Sequence, residues 1–149
     1  MSSEVTEKLS FAARFLQIKK SIQSFEEQKL AKRQAEQQNA LHQLELICHE
    51  QESIKQSLNQ VLNSPESYLH YHELDVLSVK HVLQQVTVQA STNSLEQQQS
   101  RVQTAYQDTE RWKIVLDQYN ELNKKQLQSL DQAMLDEASN ARYLRQIED

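Results

Sequence analysis

The sequence predicts an all-α protein, a long antiparallel two-helix coiled-coil hairpin with an overhanging C-terminal helix end. The 149 residues include no glycine and one proline, so left-handed turns and glycine-rich phosphate loops lack their usual residue. Gln, Glu, Lys, Ala and Leu are abundant, and these residues enter helices at little cost. Apolar residues also recur at spacings of three and four along two long segments, which is the pattern of heptad repeats.

The first helix is predicted over about residues 4–62. Five large apolar side chains begin it at spacings of 4, 3, 4 and 3, and they are Phe11, Phe15, Ile18, Ile22 and Phe25. This spacing predicts a heptad seam, a stripe that the helix buries against a partner. A broader apolar face is predicted nearer the turn, and it contains Leu41, Leu44, Ile47, Cys48, Ile54, Leu58, Val61 and Leu62.

A tight turn is predicted at residues 63–66. Asn63 tolerates the left-handed conformation that often ends a helix. Ser64 is a favourable N-cap, and Pro65 suits the first helical turn. The two helices should therefore be joined by a very short connection.

The second helix is predicted over about residues 67–146, as the complementary half of the coil. Its seam consists of Leu74, Leu77, Leu95, Val102, Ala105, Trp112, Leu116, Tyr119 and Leu130. The short polar residues at 91–94 compete with helical hydrogen bonds, and Ser94 with Gln97 resembles a capping box. A break near 91–94, giving three helices, is the alternative to a continuous second helix.

The composition also limits the compartment and the partners. Cys48 is the single cysteine, which excludes an internal disulfide and favours a reducing, cytoplasmic compartment. Neither a membrane span nor a signal peptide is expected. Residues 8–33 contain seven basic and two acidic side chains, but the net charge of −5 argues against nucleic-acid binding.

Catalysis, a metal site and a cofactor are not expected. The five histidines include no pair spaced four apart on a helix, which is the spacing that directs two imidazoles to one metal ion. Cys48 and His49 diverge by about 100° around a helix, so Cys48 is interpreted as a small core thiol. A two-helix rod also lacks the concave pocket in which an active site shifts pKa values.

An aromatic and apolar edge follows the turn directly. Tyr68, Tyr71 and Leu74 are spaced three apart and lie on one side of the predicted second helix. They either pack on Leu58 and neighbouring residues and close the turn, or form an exposed contact site at the tip. Tyrosine is common in interfaces.

The chain resembles the FliJ/YscO family of coiled-coil proteins from flagellar and injectisome type III export systems. Tyr68, Tyr71 and Leu74 are similar to that family's hairpin tip, and Leu135, Asp136, Glu137, Ala138 and Arg142 resemble its C-terminal pattern. The resemblance implies a central stalk whose paired helix ends enter a hexameric type III export ATPase. The tip would contact an export gate protein, and export chaperones are a further class of partner.

The resemblance also implies a monomer that is cytoplasmic and peripheral to a membrane-embedded export apparatus. The residues expected at the gate are Tyr68, Tyr71 and Leu74. Those expected at the ATPase ring are Lys19, Lys20, Lys32, Arg33, Leu135, Asp136, Glu137, Arg142 and Arg145. Two other functions stay open: an export chaperone or escort, and a generic coiled-coil adaptor or tethering subunit.

Overall fold

The computed structural model describes residues 2–148 and consists of two long helices that pack against each other as a helical hairpin. The first helix, α1, spans Ser2–Gln60, and the second, α2, spans Ser67–Glu148. The structure is 96% helical, and its described residues form no strand. The predicted all-α hairpin is therefore confirmed.

Consecutive tight turns connect the two helices over residues 61–66. The backbone N–H of Ser64 donates to the carbonyl oxygen of Val61 at 3.0 Å, and that of Ser67 donates to Ser64 at 3.1 Å. The side-chain oxygen of Ser64 also accepts a hydrogen bond from the N–H of Glu66 at 3.3 Å. Ser64 thus satisfies one of the free donors that precede α2, as its position in the sequence predicts.

The predicted left-handed conformation of Asn63 is wrong. No residue that the structure describes has a positive φ angle, and the chain contains no glycine. The turn is formed by backbone hydrogen bonds between residues three apart. Such bonds are typical of 3₁₀ turns, which need no residue in the left-handed conformation.

The polar stretch at 91–94 does not interrupt α2, so the three-helix alternative is wrong. Ser91, Thr92 and Ser94 are half-buried in the helix. The hydroxyl oxygen of Thr92 accepts a hydrogen bond from the side-chain amide of Gln37 at 3.1 Å. This side chain thus bonds to α1, which lessens its competition with the hydrogen bonds of α2.

Contacts divide the chain into two units. One unit consists of Met1–Gln23 with Thr104–Asp149, and the other is Ser24–Gln103. Within each unit, a stripe of less exposed residues recurs at heptad spacing on both helices, and we call it the core stripe. In the first unit it comprises Val5, Leu9, Ala12, Leu16, Lys19 and Gln23 on α1, with Ala105, Thr109, Trp112, Leu116, Tyr119, Asn123 and Gln126 on α2.

The predicted seam at the start of α1 is wrong, because it lies one residue away from the core stripe. Phe11, Ile18, Ile22 and Phe25 are exposed, and only Phe15 of the five is half-buried. The core stripe contains the fully buried Ala12, the buried Leu16 and the half-buried Lys19 in their place. A two-helix interface buries a narrow stripe of each helix, so the adjacent stripe of large side chains is left outside.

The predicted seam of α2 is confirmed except at Leu130, which is exposed. On α1 nearer the turn, Leu44, Ile47, Ile54, Leu58 and Val61 are buried or half-buried as predicted. Leu41, Cys48 and Leu62 are exposed. They belong to the broader predicted face but lie beside the stripe that contacts the other helix.

Polar side chains of α2 reach the backbone of α1. In the second unit, the side-chain amides of Gln84 and Gln98 donate to the carbonyl oxygens of Ala40 at 2.9 Å and Glu26 at 3.0 Å. Gln84 and Gln98 are two heptads apart on α2, and Glu26 and Ala40 are two heptads apart on α1. These bonds require the carbonyl groups of one side of α1 to face α2, so they select the rotation of α1 about its axis.

The core stripe can be tested by replacing two neighbouring residues of α1. Leu16 is 8% exposed and Ile18 is 51% exposed. We expect Leu16→Ala to lower the free energy of unfolding by about 2–3 kcal/mol, because it leaves a cavity, and Ile18→Ala to lower it by less than about 1 kcal/mol. Urea denaturation followed by circular dichroism measures both. An equal or larger loss for Ile18→Ala would contradict this assignment of the buried face.

Candidate functional site: the hairpin tip and the C-terminal segment

The hairpin tip presents apolar side chains to solvent. Leu58 and Ser67 are buried beneath the turn, whereas Tyr68 is 79% exposed. Leu69 and Tyr71 are also exposed. The turn is closed by its backbone hydrogen bonds and by Leu58, so Tyr68 contributes little to its packing. The packing alternative is therefore wrong for Tyr68.

The three predicted tip residues differ in their surroundings. Tyr68 and Tyr71 are exposed, while Leu74 is half-buried and lies on the core stripe of α2. Leu62 and Leu69 are exposed at the tip as well, and the sequence reasoning assigned neither to a contact site. Leu69 could have been identified as a contact candidate because it is a large apolar residue that lies outside the heptad seam.

His70 has an unusual environment beside the tip. Its Nδ1 atom is buried and makes no hydrogen bond in the described part of the chain. The nearest carboxylate oxygen, Oε2 of Glu73, is 3.6 Å away. One helical turn separates the two side chains, which is the ordinary spacing for such a pair.

The four basic residues of α1 predicted for partner binding are in different environments. Lys19 lies on the core stripe, where its Nζ is 3.8 Å from Oδ2 of Asp108 and 5.8 Å from the ring centre of Phe15. Lys20 and Lys32 are exposed. Arg33 is exposed and donates a hydrogen bond to Glu36 at 3.0 Å. The charges of Lys19 and Arg33 are therefore partly compensated within the chain.

The C-terminal segment, residues 127–148, is helical, and every residue in it is exposed. It contains all five predicted C-terminal site residues, Leu135, Asp136, Glu137, Arg142 and Arg145. Asp136 accepts a hydrogen bond from the side-chain amide of Gln132 at 3.1 Å. Three large apolar residues of this segment were not expected as contact candidates from the sequence; they are Leu127, Met134 and Ile147.

The described residues form no group of three or more His, Cys, Asp and Glu side chains that could hold a metal ion. Cys48 is exposed, so the expectation that it is a core thiol is wrong: it lies beside the core stripe. The pKa of Lys113 is raised above its ordinary value, first because its ammonium group donates a hydrogen bond to Glu110 at 3.0 Å. That pair is an ordinary surface pair one helical turn apart.

Comparisons with family models, with curated proteins and with solved structures found no match to this chain. Neither of the two described helices is long and apolar enough to cross a membrane. The geometry itself defines two surfaces suited to binding proteins: an apolar hairpin tip and an exposed amphipathic C-terminal segment.

The exposure of the tip predicts a contrast between two substitutions. We expect Tyr68→Ser to change the free energy of unfolding by less than about 0.5 kcal/mol, because its ring is largely in water. Leu58→Ala should lower it by at least about 2 kcal/mol. Thermal or urea denaturation measures both. A large loss of stability for Tyr68→Ser would mean that the ring packs on the turn.

Proposed function

We propose that this chain is the central stalk, or coupling protein, of a type III protein-export ATPase. The observation that carries the proposal is the C-terminal segment, where 22 residues of continuous helix are exposed together with their large apolar side chains. Apolar side chains concentrated in this way are typical of surfaces that bind another protein. A hexameric ATPase ring, with the segment in its central hole, is the partner that we propose.

The hairpin tip supports a second contact, with an export gate protein. Tyr68, Leu69 and Tyr71 offer an aromatic and aliphatic surface directly after the turn. Tyrosine side chains bury a large area at the cost of few rotamers, so they are effective anchors in interfaces. We propose that Tyr71 and Leu74 form the inner part of this contact and Tyr68 its exposed part.

The mechanism is coupling, and no residue of this chain needs to touch ATP. A stalk that binds one state of a ring more tightly than another shifts the ring toward that state. Lys19, Lys20, Lys32 and Arg33 would favour an acidic ring lining. In this proposal the protein is not an enzyme, and it acts as a monomer in the cytoplasm at a membrane-embedded export apparatus.

A second candidate function is that of a coiled-coil adaptor, and one observation favours it. On α2, Val76, Val79, Leu83 and Val86 are exposed at spacings of 3, 4 and 3. Exposed side chains at this spacing are suited to a further coiled-coil partner, which includes a second copy of the chain. Sedimentation distinguishes the two functions, since the stalk requires a monomer.

The stalk proposal predicts stimulation of the cognate export ATPase. We expect the full chain to increase its steady-state rate or hexamer formation, and a truncation after Gln132 to lose most of this effect because the C-terminal segment is removed. ATP hydrolysis and sedimentation of the ATPase measure the two quantities. Equal stimulation by the truncated and full chains would contradict the role of the segment. No effect of either chain, together with self-association, would favour the adaptor.

The gate contact predicts a separate loss. We expect Tyr71→Ala with Leu74→Ala to weaken binding of the export gate protein by about tenfold or more, because hot-spot side chains carry most of an interface's energy. A pull-down or a titration with the purified gate domain measures this. Phe25→Ala, an exposed aromatic far along the sequence, is the matched control. Unchanged gate affinity in the double variant, with its helicity retained, would rule out the tip assignment.

A further inference from the structure

An apolar surface lies along one side of the unit made of Met1–Gln23 and Thr104–Asp149. It continues the stripe that the sequence predicted to be buried and that the structure leaves outside. Its α1 part carries exposed phenylalanine and isoleucine side chains, and its α2 part carries the single tryptophan of the chain. We call it the phenylalanine face, and it is formed by Phe11, Phe15, Ile18, Ile22, Trp112 and Leu122.

Ring contacts show that both helices contribute to the same side. The ring centres of Phe11 and Phe15 are 5.1 Å apart, and those of Phe15 and Trp112 are 4.5 Å apart. The Phe11 ring also lies 6.1 Å from Trp112, edge to face. Asp108 forms an ion pair with Lys19 on this side of the unit. Leu122 follows Asp108 by two heptads, so it lies on the same side of α2.

The opposite side of the same unit is mainly polar. Its exposed residues, on the other flank of the core stripe, include Ala13 and Lys20 on α1 and Tyr106, Lys113, Asn120 and Leu127 on α2. The apolar side chains are thus concentrated on one flank, which gives the unit a directional surface for a partner.

The spacing on α1 suits a helix as the partner. Phe11, Phe15, Ile18 and Ile22 are separated by 4, 3 and 4 residues, which is the spacing of a coiled-coil seam. They extend over about 17 Å of helix axis. A third helix lying beside α1 and α2 could insert its side chains between these residues and convert the two-helix coil into a three-helix one.

Basic side chains border the phenylalanine face. They are Lys8 and Arg14 on α1 and Arg111 and Lys125 on α2. From residue 8 to residue 23, α1 contains no acidic residue. Flanking charges select the partner of a coiled coil by attraction to the opposite sign.

Two acidic residues on this side are close to bases. Glu4 lies 3.5 Å from Lys8, and the carboxylate of Asp108 lies 3.8 Å from Lys19 and 3.7 Å from Arg111. Asp117 and Glu121 lie beside Leu122 and Lys125, so the excess of positive charge on this face comes from the acid-free stretch of α1, residues 8–23.

We propose that the phenylalanine face binds an acidic amphipathic helix of another protein as the third strand of a coiled coil. The apolar seam supplies the contact area, and the basic border selects acidic flanks. Two copies of the chain joined face to face would instead bring the basic borders together, which is unfavourable. The phenylalanine face is a different surface from the C-terminal segment and the hairpin tip.

The test uses two synthetic helical peptides of about three heptads, both free of tryptophan and with identical leucine seams. One carries Glu at its flanking positions and the other carries Lys. Binding to the full chain is followed by anisotropy of the labelled peptide and by emission of Trp112. We expect saturable binding of the acidic peptide with a change in Trp112 emission, weaker binding at high salt, and at least about tenfold weaker binding of the basic peptide.

Two isoleucine variants locate the binding site. Ile18 is 51% exposed on the phenylalanine face, and Ile114 is 57% exposed elsewhere on α2 in the same unit. We expect Ile18→Gln to weaken binding of the acidic peptide by about fivefold or more, and Ile114→Gln to change it by less than about twofold. Arg14→Glu should also weaken it. Circular dichroism verifies that each variant retains its helicity.

Three outcomes would overturn the proposal. The first is equal binding of the acidic and basic peptides, and the second is an equal loss with Ile114→Gln and Ile18→Gln. The third is no binding of the acidic peptide, including the case in which Ile18→Gln abolishes self-association of the chain, which would identify a second copy as the occupant. Because no ATPase or gate protein is present, these outcomes are independent of the stalk proposal.

Discussion

The hairpin depends on a core stripe that includes small and polar side chains among its large apolar ones. Ala12, Ala40 and Ala105 are buried in it, and they occupy little space between the helix backbones. Gln84 and Gln98 can therefore donate to carbonyl groups of the facing helix. Gln98 is buried and Gln84 is half-buried, so a shift of register or rotation would leave these amides without a partner and with reduced hydration.

Thr109 illustrates the same constraint in the other unit. It is 2% exposed, and its hydroxyl donates to the carbonyl oxygen of Ala105 at 2.9 Å while lying 3.3 Å from that of Lys19. A short polar side chain thus meets both its own helix and the facing one. The core stripe obtains its specificity from such polar contacts, as single polar seam residues do in other coiled coils.

Several large apolar residues of the chain lie outside the core stripe. Phe11, Ile18 and Ile22 are exposed on one flank of α1, and Leu135 and Leu144 are exposed near the end of α2. Because little of this apolar area is used for folding, it is available for binding other chains. The functional proposals for this protein therefore all concern partners, and each assigns a different exposed surface to one of them.

The position of the exposed apolar surfaces could be predicted only in part. Tyr68 and Tyr71 were identifiable because they directly follow the turn, and Leu135 and Arg142 because the second helix is longer than the first. The phenylalanine face was not identifiable. Its residues have the heptad spacing of a buried seam, and sequence periodicity does not distinguish a stripe that meets the other helix from one that meets a separate protein.

The sequence by itself determined that the chain is helical, that it has one sharp turn near Pro65, and that it folds back as a hairpin. The absence of glycine, the turn residues and the heptad spacing are local properties, so they can be recognised without knowledge of the tertiary contacts. Only the tertiary structure decided which stripe of α1 is buried. The stripes of Leu16 and Ile18 follow the same period, and the choice between them rests on side chains of α2 that fit between and bond to the backbone carbonyls of α1.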